Sequence, residues 1–371
     1  MMSCYQGLIE YYLVKREEKG PREEVEVLLK AAISTAESIV KDELNLAGGS
    51  CSGEHWFHGA PKQHQPYVHL QETCVTITWM RLLEKLSAVT GEARWADLFE
   101  RTFFNAYLGA LARDCGEFAG YTPLNGNRYH GQHHCEMHTD CCNANGPRGF
   151  LSFLRAAVRV KPGEVIVDQY ASGVVEAKLP DGRIAGFDVY TLYPQDGLVT
   201  LNARTAGRFK LTVRVPAWST GAEVWVNEEC AAKGRTGYVT MDRDWRPGDK
   251  VSVCLKLPVV AHVNDGHVAF TRGPVLLARD TRLDDLDLSE AIRPDGIEDG
   301  KVMAGGHLVR RPSDDFILAF ELPLPLGTHH ENPEGRRETL VRFCDYASAG
   351  NEWRPENSYR TWFPLERHPW D

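Results

Sequence analysis

The sequence predicts a multidomain α + β protein: a helical part over residues 1–160, an antiparallel β-sandwich over 161–281, and a connection with a second β-rich, sandwich-like region over 282–371. Three observations predict it. Apolar residues recur every three to four positions in the first part, the period changes to two after about Val160, and 371 residues exceed what one ordinary core organises.

The helices follow from that spacing. Val25, Leu28, Leu29, Ala32, Ile33, Ala36 and Val40 line one face of a long helix. Val75, Trp79, Leu82, Leu83, Leu86 and Val89 line a second, stopped by Gly91, and Trp95, Leu98, Phe99, Phe103, Ala106 and Tyr107 line a third. Together they read as helical hairpins. Further on, Leu211, Val213 and Val215 alternate with Lys210, Thr212 and Arg214, while Val251 and Val253 alternate with Ser252 and Cys254. Turns such as "LPDGR" and "RPGDK" separate these strands. The acidic, glycine- and proline-rich piece from about Asp280 to Asp315 reads as a surface connection, and "LVRFCDYA" and "SYRTWFP" as late strands.

Composition narrows the function. A net charge of -9 without a basic block argues against nucleic acid, and no apolar run is long enough to suggest a membrane span. The first twenty residues reach charge before any useful apolar core, so the expectation is a cytoplasmic protein. Ten cysteines are too sparse for a disulfide scaffold; as free thiols they are available to metal or catalysis. Cys4, Cys230, Cys254 and Cys344 read as small buried apolar residues.

Chemistry concentrates in three segments: "GGSCSGEHW", which presents Glu54 from a loop; "QETC", which sets Glu72 beside Cys74 at a helix start; and "TDCCNANGPRGF", in which Cys141 and Cys142 precede a helix expected from about Pro147. A helix N-terminus favours thiolates, and two adjacent thiolates repel unless a cation sits between them. Zinc answers that need, with Cys74, Cys141, Cys142 and one harder ligand. Glu72 suits that place, although His130, His133, His134 and His138 crowd the same loop as alternatives and Cys135 competes. Trp56, Phe57, Tyr67, Tyr121 and Tyr129, with His55, His58, His64 and His69, would suit a sugar site.

These segments, in this order, together with "YTPL", "FKLTVRVPAW", "AEVWVN" and "VAFTRGPVLLA", resemble the β-L-arabinofuranosidase glycosidases, glycoside hydrolase family 127 and close relatives. The resemblance covers most of the chain. It implies an (α/α)6 helical barrel followed by β-sandwich domains, and a retaining hydrolase acting on carbohydrate. It further implies Cys141 as a zinc-bound nucleophile, Glu72, Cys74 and Cys142 as fellow zinc ligands, Glu54 as acid/base, and Tyr121 as a substrate-binding residue near the nucleophile. Glu136 is a rival acid by proximity alone.

A complete barrel needs about twelve helices, whereas residues 1–160 hold five or six, so the resemblance is to a barrel lacking its N-terminal part. The resulting expectation is a partial barrel that self-associates and hydrolyses weakly by itself. Two other classes stay open: a carbohydrate-binding or structural protein in which zinc clips two segments together, and a polysaccharide lyase with a Tyr or His base.

Overall fold

The computed structural model describes residues 2–18, 22–53, 55–129, 141–284, 287–294, 296–309, 315–327 and 338–366. They form two compact units: Met1–Leu82, Arg101–Gly149 and Val259–Asp371 make the first, and Leu83–Glu100 with Phe150–Pro258 the second. Among the described residues no helix is long and apolar enough to cross a membrane.

Helix α1 (Met2–Glu17) buries Met2, Gln6, Ile9 and Tyr12 along one stripe, and the Gln6 amide donates to the Thr78 carbonyl at 2.8 Å. Helix α2 (Arg22–Asp42) buries Val25, Ala32, Ala36 and Ile39, close to the face expected. Helix α3 (Thr73–Thr90) buries Trp79, Leu82, Leu83 and Leu86 and ends at Gly91, whose φ of 72° suits a residue without a Cβ. Helix α4 (Ala93–Thr102) departs from its spacing: a π-helical turn, Phe103–Tyr107, replaces the expected regular continuation. Widening the turn rotates Asn105 inward, where its amide donates to Pro274 and accepts from the Leu276 N–H, both at 2.8 Å. Helix α5 (Cys141–Asn145) and helix α6 (Arg148–Ala157) complete the set.

Strand β1 (Asn125–Gly126) belongs to the first unit. The second unit holds two sheets. Strands β2 (Val158–Lys161), β3 (Glu164–Val167), β7 (Gly207–Val215) and β10 (Gly237–Trp245) run in the order β10-β7-β3-β2. Strands β4 (Gly173–Lys178), β5 (Ile184–Thr191), β6 (Leu198–Ala203), β8 (Glu223–Val226), β9 (Glu229–Lys233) and β11 (Lys250–Cys254) run β4-β5-β6-β11-β8-β9. Pairing is antiparallel as expected, except that β3 and β7 are parallel. Phe187 of β5 meets Phe209 of β7 and Trp245 of β10 with ring centroids 5.9 and 6.0 Å apart, joining the sheets through an aromatic core.

Alternation in β7 misleads on one face. Thr212 and Arg214 are buried along with Leu211, Val213 and Val215. Arg214, fully buried, pairs with Asp97 and Glu100 of α4, and Glu100 also accepts from the Tyr193 hydroxyl at 2.7 Å. Burial raises the Glu100 carboxyl above its usual range, and the Arg214 charge opposes that rise.

The first unit closes with β12 (Val259–Asn264), β13 (His267–Arg272), β14 (Val275–Asp280), the short β15 (Val302–Met303) and β16 (His307–Leu308), β17 (Ala319–Pro325), β18 (Glu338–Asp345), β19 (Tyr359–Arg360) and β20 (Phe363–Pro364). The stretch from Asp280 to Asp315 is more than a surface connection, because Ile292 and Ile297 enter the core of this sheet beside Phe320 and Phe343. Of the four cysteines read as buried apolar residues, only Cys344 is buried; Cys254 is half-buried, Cys4 is exposed on α1 away from its buried stripe, and Cys230 is exposed on β9, the last strand of its sheet, none of whose residues is buried.

Candidate metal centre

Three short segments converge in the first unit. Thr73, at the start of α3, donates its N–H to the Gly120 carbonyl at 3.0 Å and its hydroxyl to the Ala119 carbonyl at 2.6 Å. Those bonds tie residues 119–120 alongside Glu72 and Cys74. Helix α5 then brings Cys141 and Cys142 onto the same point: Cys142 Sγ lies 3.4 Å from Glu72 Oε1 and 3.8 Å from the Gly120 carbonyl. The Asn143 side chain accepts from the Phe118 N–H at 3.0 Å, and Tyr107 donates its hydroxyl to the Gly146 carbonyl at 2.8 Å, so α5 is anchored at its middle and just past its C-terminal end.

Cys141 and Cys142 precede the helix that the proline signal predicts, which runs from Arg148, but no sequence signal marks a second helix before it. They open their own five-residue helix, and Gly146 and Pro147 separate it from α6. Gly146 has no room for a side chain, since an added Cβ would fall 2.1 Å from a Phe118 ring carbon.

One ligand atom from each of Glu72, Cys74, Cys141 and Cys142 lies within 4.8 Å of the others. The Cys141 and Cys142 sulfurs are 4.0 Å apart, too far for a disulfide and close to the edge of about 3.8 Å that a tetrahedron with zinc–sulfur bonds of about 2.3 Å requires. Three soft sulfurs and one carboxylate therefore fit zinc. Glu72 and Cys142 are buried, Cys74 is half-buried and Cys141 is exposed, so one thiol of the cluster faces solvent.

In the metal-free cluster the protons divide unequally. Cys74 is held below its ordinary thiol value, chiefly because Cys142 donates to it. Cys141 is pushed up to about 11, first by partial desolvation of its sulfur, although the residue as a whole is exposed, and then by its hydrogen bond to Cys74. Cys142 is pushed far above the usual range, mainly by donating to Cys74 and by burial. The expected helix-end depression of both adjacent thiols is thus absent; Cys74 is the thiol favoured to ionise, and a bound cation would favour ionising the other two.

Tyr121 is buried next to Gly120, and its ring centroid lies 4.8 Å from that of the exposed His69. The His69 carbonyl accepts from the Gly53 N–H at 2.9 Å, which ties the loop beside Glu54 to the segment leading into Glu72. Glu54 itself, and likewise His130, His133, His134, Cys135, Glu136 and His138, lie outside the described residues. Phe57 and Tyr67 pack edge to face on each other, and His64 stacks on His267.

Sequence reasoning overlooked the props behind the ligands. Gln71, adjacent to Glu72 and fully buried, donates to the Thr122 carbonyl and to the Tyr346 hydroxyl, the latter at 3.0 Å. Tyr346 in turn donates toward the Thr122 and Pro123 carbonyls at 2.8 and 2.9 Å.

The mixture of helices and antiparallel sheets is that of solved glycoside hydrolases. A GH127 β-L-arabinofuranosidase from Geobacillus stearothermophilus superposes with a TM-score of 0.74 at 20% identity over 98% of this chain and 60% of its own. A second GH127 β-arabinofuranosidase gives 0.79 at 20% identity over 98% and 59%, and a further glycoside hydrolase 0.74 at 20% over 98% and 65%. The chain spans about three fifths of the first two. No curated protein matches it significantly. The family model of the β-L-arabinofuranosidase GH127 catalytic domain matches residues 23–155, and that of the GH127 middle domain residues 164–258. The chain belongs to glycoside hydrolase family 127.

Proposed function

We propose that this chain serves a retaining glycoside hydrolase acting on β-L-arabinofuranosides or related glycans, its helical segments forming part of an (α/α)6 barrel. The observation that carries the reading is the four-ligand cluster with a single solvent-facing thiol, Cys141. Glu72, Cys74, Cys141 and Cys142 would hold zinc, which when bound keeps the thiols ionised and stabilises charge developing on sulfur.

Cys141 Sγ attacks the anomeric carbon while Glu54, protonated, gives its proton to the departing oxygen. The sugar is then joined to Cys141 through a carbon–sulfur bond. Glu54, now a carboxylate, takes a proton from water; the water oxygen bonds to the anomeric carbon, the sulfur leaves with its electron pair, and configuration is retained after two displacements. Tyr121, packed beside Gly120 and His69, borders the site and positions the sugar.

The test is to incubate the purified, zinc-loaded protein with an aryl β-L-arabinofuranoside, using Glu54→Ala to slow the second step. A pentosyl mass increase on the peptide containing Cys141 supports the reading. Turnover that survives Cys141→Ala overturns it.

A further inference from the structure

The six-stranded sheet of the second unit carries a row of side chains that neither the metal centre nor the core uses. Trp225 on β8 pairs with Ser252 on β11, Ser252 with Thr200 on β6, and Thr200 with Tyr190 on β5. Directly paired residues share a face, so all four stand on one side of the sheet. Their strand neighbours Val224, Val226, Val251, Val253, Val199, Leu201 and Val189 are buried on the other side, which makes this the outward face. Tyr190 is 58% exposed, and Trp225, Ser252 and Thr200 are half-buried. The Trp225 indole N–H donates to Glu223 Oε2 at 3.2 Å, fixing the ring over its own strand.

We infer that this face binds a neutral oligosaccharide chain. Aromatic rings at both ends of the row offer flat apolar surfaces to the C–H faces of sugars, and the hydroxyls of Thr200 and Ser252 between them exchange hydrogen bonds with sugar hydroxyls. Asn202, two positions along β6 from Thr200, adds an amide on the same face. Three strand spacings separate Tyr190 from Trp225, about 14 Å, which is wider than one sugar ring and selects a chain over a monosaccharide. The four residues of the row are uncharged. Beside them Asp188 lies 3.7 Å from Arg204, and Glu223 is paired with Lys233 at 2.8 Å, so the acidic groups are neutralised within the sheet. Lys250, exposed and paired with Asn202, adds a cation to the same face, so the charges around the row are of mixed sign; that complements a neutral glycan better than a polyuronate or a nucleic acid, which need a basic cluster. A row whose every member carries a hydrogen-bonding group also differs from the apolar centre that a protein partner would need.

The inference stands apart from the hydrolase reading, since these residues belong to the second unit and the cysteine cluster to the first. It is tested by native electrophoresis of the full chain through gels containing arabinan, β-glucan or galactomannan, with polygalacturonate as the anionic comparison. The expected result is retardation by at least one neutral polymer, reduced at least tenfold in apparent affinity by Tyr190→Ala and by Trp225→Ala and unchanged in Cys141→Ser. Circular dichroism and thermal unfolding establish that the variants are folded, and the conservative Tyr190→Phe, which keeps the ring, retains most of the affinity. No retardation by any neutral polymer, retardation that the folded alanine variants share, or a dimer that Tyr190→Ala dissociates each overturns it.

Discussion

The Sγ of Cys142 lies 3.4 Å from Oε1 of Glu72, a residue seventy positions earlier, and both are buried. Both belong to the four-residue group that could hold a cation. The purified protein is therefore expected to carry about one zinc per chain, lost in Cys142→Ser, with elemental mass spectrometry as the measurement. A folded wild-type sample without zinc would remove the basis for a metal-held thiolate.

Metal uptake depends on pH in a direction the thiols fix. Cys141, at about 11, and Cys142, higher still, keep their protons at neutral pH, so binding must displace at least two. Zinc affinity then rises with pH, by about 100-fold per unit for two protons released. Competition with a chromophoric chelator at two pH values a unit apart reads this directly. A change of tenfold or less would mean that the thiols are already ionised.

Exposure separates the three thiols chemically. In the zinc-free protein at alkaline pH, Cys141 should be alkylated before Cys142, and saturating zinc should protect all of them. Peptide mapping after brief iodoacetamide treatment gives the order. Equal rates would show that the cluster opens as a whole.

Gly146 controls the approach of α5. Alanine there drives a Cβ to 2.1 Å from the Phe118 ring, displacing the turn behind Cys142. Zinc retention is expected to weaken at least tenfold in Gly146→Ala. Gly7→Ala, where nothing lies within 4 Å, should instead stabilise α1 by about 0.5–1 kcal/mol and leave zinc alone.

Removing the buried cation of the second unit should be costly. Arg214→Ala strands Glu100 without its partner in a dry environment, and a loss of about 3–5 kcal/mol is expected in chemical denaturation. Adding Glu100→Gln should recover part of it, because the neutral amide tolerates burial better than the orphaned carboxylate. A double variant no better than the single would place the cost in lost packing.

The members of the candidate metal cluster were legible as a group because donor chemistry is local: Glu-x-Cys and Cys-Cys announce themselves in two or three residues. The helices α2 and α3 were legible for the same reason, since burial on one face prints a period. Legibility ended where a residue's partner is remote. Arg214 reads as the solvent side of a half-buried strand until Asp97 and Glu100, more than a hundred positions earlier, cover it. The π turn at Phe103–Tyr107 hides in a helical spacing because its cause, the Asn105 bonds around Pro274 and Leu276, lies 169 and 171 positions away. The break between α5 and α6 had a visible sign in Gly146–Pro147, but the proline alone pointed to a helix start and said nothing of the short helix before it.

The Gln71 amide reaches the Tyr346 hydroxyl across 275 positions of chain. Modularity has a limit at that bond: a deletion or recombination that exchanges the last third of the sequence for another sheet would leave every proposed zinc ligand in place and remove the brace beside Glu72. A protein engineer grafting this thiol cluster elsewhere would have to carry Tyr346 along.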